Sequence, residues 1–255
     1  MLSKNQIKEL QSLQLKKFRD QHRLFIAEGV KTVSEILKHR ASSIKELLAT
    51  TDFIDNHRQK INEYSITVNE ISEIELKKIS LQNSPNKAMA VCNYFDEGEG
   101  AFDFKNNFSV YLDDLRDPGN LGTIIRLAGW FGIDTIFCSA NSCDFYNPKV
   151  IQSTMAAFLR VKVRYISLQE LIRQQNIKHI YGAVLNGENI YKTEIKNGLI
   201  VIGNEANGIS EENLKLISNP VTIPASKENE TESLNAAMAA SILVSEFFRQ
   251  LKVMT

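Results

Sequence analysis

The chain reads LIVIGNEANGIS at 199–210, VTIPAS at 221–226 and ESLNAAMAASILVSEFF at 232–248. Leu199–Gly203 is an apolar run closed by glycine, the pattern of a strand buried on both faces of a parallel sheet. Asn204–Gly208 holds two Asn, a Glu and a Gly, residues that tolerate unusual backbone angles and let a ligand approach the main chain. Val221–Ile223 reads as a second short strand stopped by Pro224. A helix with Ala at 236, 237, 239 and 240 begins at Ser233, and so small a face permits close packing. Two strand ends and one helix start converge, and open α/β sheets bind ligands outside the carboxyl ends of their strands. The plain alternative is an ordinary final β-α-β-α unit.

The remaining sequence supports a two-part α/β chain. Its 255 residues, 43% hydrophobic and 24% charged, suit one large or two modest globular domains. No run approaches the ~20 apolar residues of a membrane span, and Met1–Lys17 is too polar for a signal peptide. Cys92, Cys138 and Cys143 are odd in number and lack paired metal spacing, which predicts reduced thiols and a cytoplasmic protein. The four His are scattered, so no metal site is expected.

In the first part, Ser3 or Asn5 caps a helix running to about Lys17. Strands are predicted at Leu24–Ala27, Ile44–Ala49, Tyr64–Val68 and Ala88–Phe95. Helices are predicted after Gly29, after a cap at Thr51 or Asp52, and after a cap at Asn69; Ser84-Pro85-Asn86 is a turn. Asp96–Asn107, with Gly98, Gly100 and many charges, has the composition of a linker. This divides the chain into domains at 1–95 and 108–255. The second domain alternates strands at Phe108–Leu112, Thr135–Cys138, Val161–Tyr165 and His179–Val184 with helices at Asn120–Phe131, Pro148–Phe158 and Leu168–Gln175. With the two strands already described, that makes a mainly parallel sheet of six.

Net charge is zero overall, yet residues 1–95 carry 15 Lys/Arg against 11 Asp/Glu, and the remainder 15 against 19. Lys16, Lys17, Arg19 and Arg23 cluster in the positive half, as a solvated helix end or as a nucleic-acid contact. The loop DDLRDPGNLGTIIR (113–126) lies between a strand and a helix but matches neither the Walker nor the dinucleotide fingerprint. Asn120 is read as the helix cap, and Arg126 sits among Ile124, Ile125, Leu127 and Ala128. A cation on so apolar a helix either snorkels or is held for a partner such as a phosphate. Glu205 is a ligand-site carboxylate or a loop brace, and Ser233 and Asn235 are both good helix caps. No G-x-S-x-G precedes a helix, which excludes a serine hydrolase of that type.

Taken in order, Asn120-x-Gly122-x-x-x-Arg126, Gly203-x-Glu205-x-x-Gly208-x-Ser210 and Ile223-Pro224 followed by Ser233-Leu234-Asn235 form a set. It resembles the three-motif pattern of the SpoU (TrmH-type) RNA 2′-O-ribose methyltransferases of the SPOUT superfamily. Ser153–Val161 (STMAAFLRV) looks like that family's small-residue helix, so the resemblance covers about 108–250. The opening SKNQIKELQSLQLKKFRDQHRLFIAEG is similar to the family's N-terminal substrate domain, an α/β module like a ribosomal-protein fold. The resemblance implies a catalytic domain with a deep trefoil knot, otherwise nearly absent from proteins. It implies S-adenosylmethionine as cofactor, contacted at Gly203, Ile223 and Leu234, with Leu185 and Gly208 beside it. Arg126 matches the catalytic arginine, and Asn120, Glu205, Ser233 and Asn235 build the polar wall. The RNA substrate, ribosomal or transfer, is met by Lys16, Lys17, Arg19 and Arg23, and the working unit is a homodimer. The alternative is an RNA-binding or ribosome-assembly protein that keeps the fold without catalysis.

One departure stands out. Between Ile223 and Ser233 the chain reads IPASKENETE, without the Gly the family often has and with three Glu near the expected RNA path. A second expectation is that removal of 1–95 abolishes RNA methylation but leaves cofactor binding intact.

Overall fold

The computed structural model describes residues 2–82, 86–95, 102–226, 228 and 232–253. The Ser84-Pro85 half of the predicted turn, linker residues 96–101, and residues 227 and 229–231 of the acidic loop lie outside these. Among the described residues the chain divides into two compact units. The first is drawn from Met1–Glu97 and Asp144–Leu159, the second from Gly98–Cys143 and Arg160–Thr255.

The first unit begins with α1 (Lys4–Ser12), whose capping box pairs Ser3 with Gln6. The helix predicted to reach Lys17 stops there, and α2 (Lys16–His22) restarts after a turn. The cause is Arg19: its Nη1 donates to the carbonyls of Leu13 (2.9 Å) and Gln14 (2.7 Å), which a continuous helix would have used internally. There follow β1 (Leu24–Glu28), α3 (Val30–His39), β2 (Ile44–Ala49), α4 (Thr51–Glu63), β3 (Thr67–Glu70), α5 (Glu73–Ile79) and β4 (Ala88–Asn93). Thr50 is the cap residue of α4, and Ser72, in a second capping box with Glu75, replaces Asn69 as the cap of α5. The sheet order is β1-β4-β2-β3, with β4 antiparallel to both neighbours and β2 parallel to β3.

Residues 144–159, predicted for the second domain, pack with this first unit. Tyr146 stacks on Tyr94 (3.9 Å) and lies 4.8 Å from Phe25, and Phe158 stacks on Phe95 (6.0 Å). Arg19, 2% exposed, pairs through Nη2 with Asp144 Oδ2 at 2.6 Å. Aromatic area and a buried ion pair therefore assign the segment, neither of which is visible as a break in composition. A chain cut at 95 strips these groups of their cover, so the truncation expected to leave cofactor binding intact instead exposes Tyr146 and Phe158.

The second unit carries β5 (Ser109–Leu112), α6 (Pro118–Trp130) and β6 (Thr135–Cys138). Its last part is β7 (Lys162–Tyr165), α8 (Leu168–Gln175), β8 (Ile180–Asn189), β9 (Leu199–Ile202), α9 (Glu211–Leu214), β10 (Asn219–Thr222) and α10 (Ala236–Phe248). Between β6 and β7 the chain crosses to the first unit, where α7 (Pro148–Ser153) ends five residues before the predicted Phe158. It ends because Met155 and Ala156 take positive φ (51° and 73°), which no right-handed helix accommodates.

All six strands are parallel in the order β10-β8-β9-β5-β6-β7. The central β9, β5 and β6 are buried at every position, as strands covered on both faces should be. The chain runs from β5 outward through β6 and β7, then returns on the other side of β5. The order thus reverses at β5/β9, where the crevice of an open α/β sheet opens. α10 lies against α6 and β9, with Phe247 set edge-on to Tyr181 (4.9 Å).

Cys92 and Cys138 are buried and Cys143 is half-buried. Burial pushes the Cys92 thiol up to about 12 and that of Cys138 higher still. Since the thiolate is the nucleophile, a maleimide titration of native protein is expected to label Cys143 alone, with all three reacting in denaturant.

Candidate functional site

A cavity of about 790 Å³ opens at the carboxyl ends of β8, β9 and β10. Gly203, Glu205, Gly208, Ile223, Ser233, Leu234 and Leu185 all line it. Leu185 is there because β8 changes register against β10. Gly182 pairs with Pro220, but the next pair is Glu188 with Val221, and the intervening Ala183–Asn186 form a wall. Hydropathy carries no trace of such a jump, which is why β8 is longer than the predicted His179–Val184.

The floor of the cavity is the 203–210 loop. Gly203 is buried, and a Cβ there would stand 2.1 Å from the Gly208 carbonyl carbon and 2.2 Å from Ile209 N. Asn204 and Gly208 exchange both backbone hydrogen bonds at 2.9 Å, closing the loop on itself. At its far end Ser210 N donates to Asp113 Oδ2 (2.8 Å), and Asp113 is 4% exposed.

From this loop Glu205 reaches the motif on α6. Asn120 Nδ2 donates to Glu205 Oε1 (2.7 Å), and Asn235 Nδ2 donates to Asn120 Oδ1 (3.1 Å). Residues far apart in sequence are thereby joined in one polar chain at the head of two helices. The predicted cap at Asn120 is a correction: Asp117 caps α6, its Oδ1 accepting from Asn120 N (2.7 Å), with Pro118 in the first turn. The Asp-Pro pair is the sequence signal for that start, and it leaves the Asn120 amide group available for Glu205. Likewise Asn235, not Ser233, caps α10, its Oδ1 accepting from Ala237 N (2.9 Å) and Met238 N (3.3 Å). Ser233 lines the cavity three residues before the helix begins.

Arg126 does not line the cavity. Asn120, Thr123 and Arg126 follow one another at intervals of three on α6, which places Arg126 about 9 Å along the helix from Asn120. Arg126 is exposed and has no hydrogen-bond or ion-pair partner among the described residues. The proposed RNA cluster divides. Lys17 and Arg23 are exposed, with the Arg23 guanidinium 4.9 Å over the Tyr94 ring, and Lys16 is paired with Asp20. Arg19 is a correction, because it is buried among its own carbonyl and Asp144 partners and cannot meet a phosphate.

The cavity suits S-adenosylmethionine on its own chemistry. Its volume falls in the range of ~300–1,000 Å³ typical of small-molecule sites. Ile202, Ile209, Val221 and Leu243 supply apolar walls, and the bare backbone at Gly203 and Gly208 leaves peptide groups to meet a purine edge. Among the described residues Glu205 and Glu232 line it and no Lys, Arg or His does, a charge balance that favours a sulfonium. Glu232, one of the three acidic residues of the departing stretch, is itself a lining residue. Among the described residues no group of three or more His, Cys, Asp or Glu is placed to hold a metal ion. Among the described residues no helix is long and apolar enough to cross a membrane.

Comparison with known proteins matches residues 107–245 to the SpoU rRNA Methylase family and residues 4–90 to the MRM3-like substrate binding domain. The Bacillus subtilis 23S rRNA (guanosine(2553)-2′-O)-methyltransferase RlmP is 28% identical over 249 residues, 95% of this chain and 96% of that protein. A Porphyromonas gingivalis structure of the TrmH family superposes with a TM-score of 0.85 at 36% identity, covering 98% of this chain and 99% of that one. The AdoMet-bound rRNA methyltransferase from Sinorhizobium meliloti superposes with a TM-score of 0.83 at 25% identity, covering 98% and 96%. Motif order, cavity and these matches agree, and the chain belongs to the SpoU rRNA methylase family.

Proposed function

We propose that this chain transfers a methyl group from S-adenosylmethionine to a ribose 2′-hydroxyl of structured RNA, ribosomal or transfer. The observation that carries the reading is the Glu205–Asn120–Asn235 chain, which joins all three motifs beside a cofactor-sized cavity. When bound, S-adenosylmethionine supplies an electrophilic sulfonium methyl. Gly203, Gly208, Ile223, Leu234 and Leu185 are the residues to hold it.

The chain's own part is to place a hydroxyl in line and ease its proton away. Fixing two reactants in an attack geometry is worth effective molarities of roughly 10⁵ M or more. Arg126 is not suited to act as a base, because a guanidinium offers donors and no acceptor. As an exposed cation without a protein partner it suits a backbone phosphate, and from there it orients the ribose and lowers the cost of forming its alkoxide. Glu205 and Asn235 hold Asn120 from either side, keeping a polar wall in register with the cavity. Lys17 and Arg23 on the first unit are the candidate RNA contacts, and the unit acts as the substrate domain. The working form in this reading is a cytoplasmic homodimer, with the deep knot of its family. The exposed Trp130 (84%) and Met238 (58%), on α6 and α10, are apolar surface for a second copy to cover.

The test is transfer of labelled methyl from S-adenosylmethionine into bacterial RNA lacking this modification, with nuclease mapping. Wild type is expected to label one 2′-O position, and Arg126→Ala to lose at least about 10²-fold in rate while still binding cofactor. Cofactor binding without transfer to free RNA or ribosomal particles would instead support the non-catalytic RNA-binding protein.

A further inference from the structure

We infer that Asn204 is a positioning residue for the reaction, one that aims Glu205 by tying the 203–210 loop to the loop after β5. The inference rests on the reading that Glu205 serves methyl transfer. Asn204 Nδ2 donates to the Asp114 carbonyl (2.7 Å), while its Oδ1 accepts from Ala206 N (2.9 Å) and Asn207 N (3.3 Å). Only one amide orientation satisfies all three bonds, since a flipped group would set oxygen against carbonyl and NH₂ against two N–H groups. The acceptor end folds the loop tightly around Glu205, as an Asx turn does. The donor end fixes that turn to a backbone carbonyl in the loop that leads into α6.

The anchoring carbonyl is itself held. Asp114 adopts a left-handed backbone (φ 55°), its N–H donates to Ser139 Oγ (2.8 Å), and its carboxylate pairs with Arg116. Three residues further on, Asp117 caps α6 and sets where Asn120 projects. The Asn204 amide therefore ties the Glu205 end of the loop to the segment leading into the helix that carries Asn120, as the Asp113 carboxylate ties the Ser210 end, and the Asn120–Glu205 bond is the first link of the polar chain. Glu205 itself is exposed and makes no other hydrogen bond among the described residues, so its aim depends on its loop.

Asn204→Asp separates the two ends of the amide. An aspartate still accepts from Ala206 and Asn207, but it places an oxygen where the Asp114 carbonyl needs a donor. The variant is expected to lower kcat at least about tenfold with RNA KM little changed, because a small misplacement acts on the attack geometry rather than on substrate binding. Asn204→Ser is run beside it because its short hydroxyl does not reach the Asp114 carbonyl and adds no charge, and it covers the case in which the aspartate fails to fold. In the cofactor-free proteins, hydrogen–deuterium exchange over 113–117 and 204–210 is expected to quicken in both. The deciding step is a cycle with Glu205→Ala, in which a residue acting through Glu205 has no further effect on kcat. Unchanged kcat in Asn204→Asp and Asn204→Ser, or a full additional loss in the Glu205→Ala background, overturns the inference. Wild-type activity in Glu205→Ala alone overturns the role of Glu205 and separates that failure from this one.

Discussion

Gly203→Ala is expected to lose methyl transfer by at least about 10²-fold while the protein stays folded. The added methyl would meet the Gly208 carbonyl carbon at 2.1 Å, Ile209 N at 2.2 Å and the Gly208 oxygen at 2.4 Å, all backbone atoms. No rotamer change relieves them. Nor can the 208–209 peptide retreat freely, because Asn204 and Gly208 are closed by two hydrogen bonds of 2.9 Å. Overpacking of this kind costs ~1–3 kcal/mol, and a shift of about 1 Å in residues that place the reactants costs a further ~10²-fold in rate. The displaced loop is the floor of the cavity, so weaker S-adenosylmethionine binding in calorimetry is the direct readout. Gly208→Ala is the contrast: its Cβ meets nothing within 4 Å, and only a left-handed backbone (φ +67°) opposes it. That strain is worth roughly 1–2 kcal/mol, so its effect should be much the smaller. Unaltered cofactor affinity in Gly203→Ala would mean that the loop does not shape the site.

Arg19→Ala is expected to destabilise the first unit by about 3–5 kcal/mol, the cost of leaving a buried ion-pair partner uncompensated. The guanidinium is 2% exposed and makes three bonds, to the Leu13 and Gln14 carbonyls and to Asp144. Two of those carbonyls sit at the turn between α1 and α2, so the loss also frees the start of the chain. At ~2–4 °C per kcal/mol, thermal unfolding should begin about 10 °C lower. Arg19→Met with Asp144→Leu should recover much of the loss, since an apolar pair can replace a buried ion pair of similar volume. If Arg19 were instead an RNA contact, Arg19→Ala would melt like wild type and bind RNA less tightly. The same pair explains why a cut at residue 95 is an unsound way to isolate the catalytic part.

What the sequence by itself determined is local. The alternation of apolar runs with capped helices yields the strands seen among the described residues and the parallel six-stranded sheet they form, because periodicity and turn residues act over a few neighbours. The three ordered motifs and the family they indicate are legible for the same reason, as short strings with fixed spacing. The tertiary structure decided the rest through contacts between distant residues. It made Asp117 the cap and turned Asn120 toward Glu205, across 85 positions. It buried Arg19, one of four cations indistinguishable in the string, by bringing Asp144 to it across 125 positions. It gave Ala183–Asn186 to the cavity through a register jump, and it left no room for a side chain at Gly203 through close approach rather than an unusual dihedral. Each outcome depends on which partner arrives in space, and no window along the chain contains that partner.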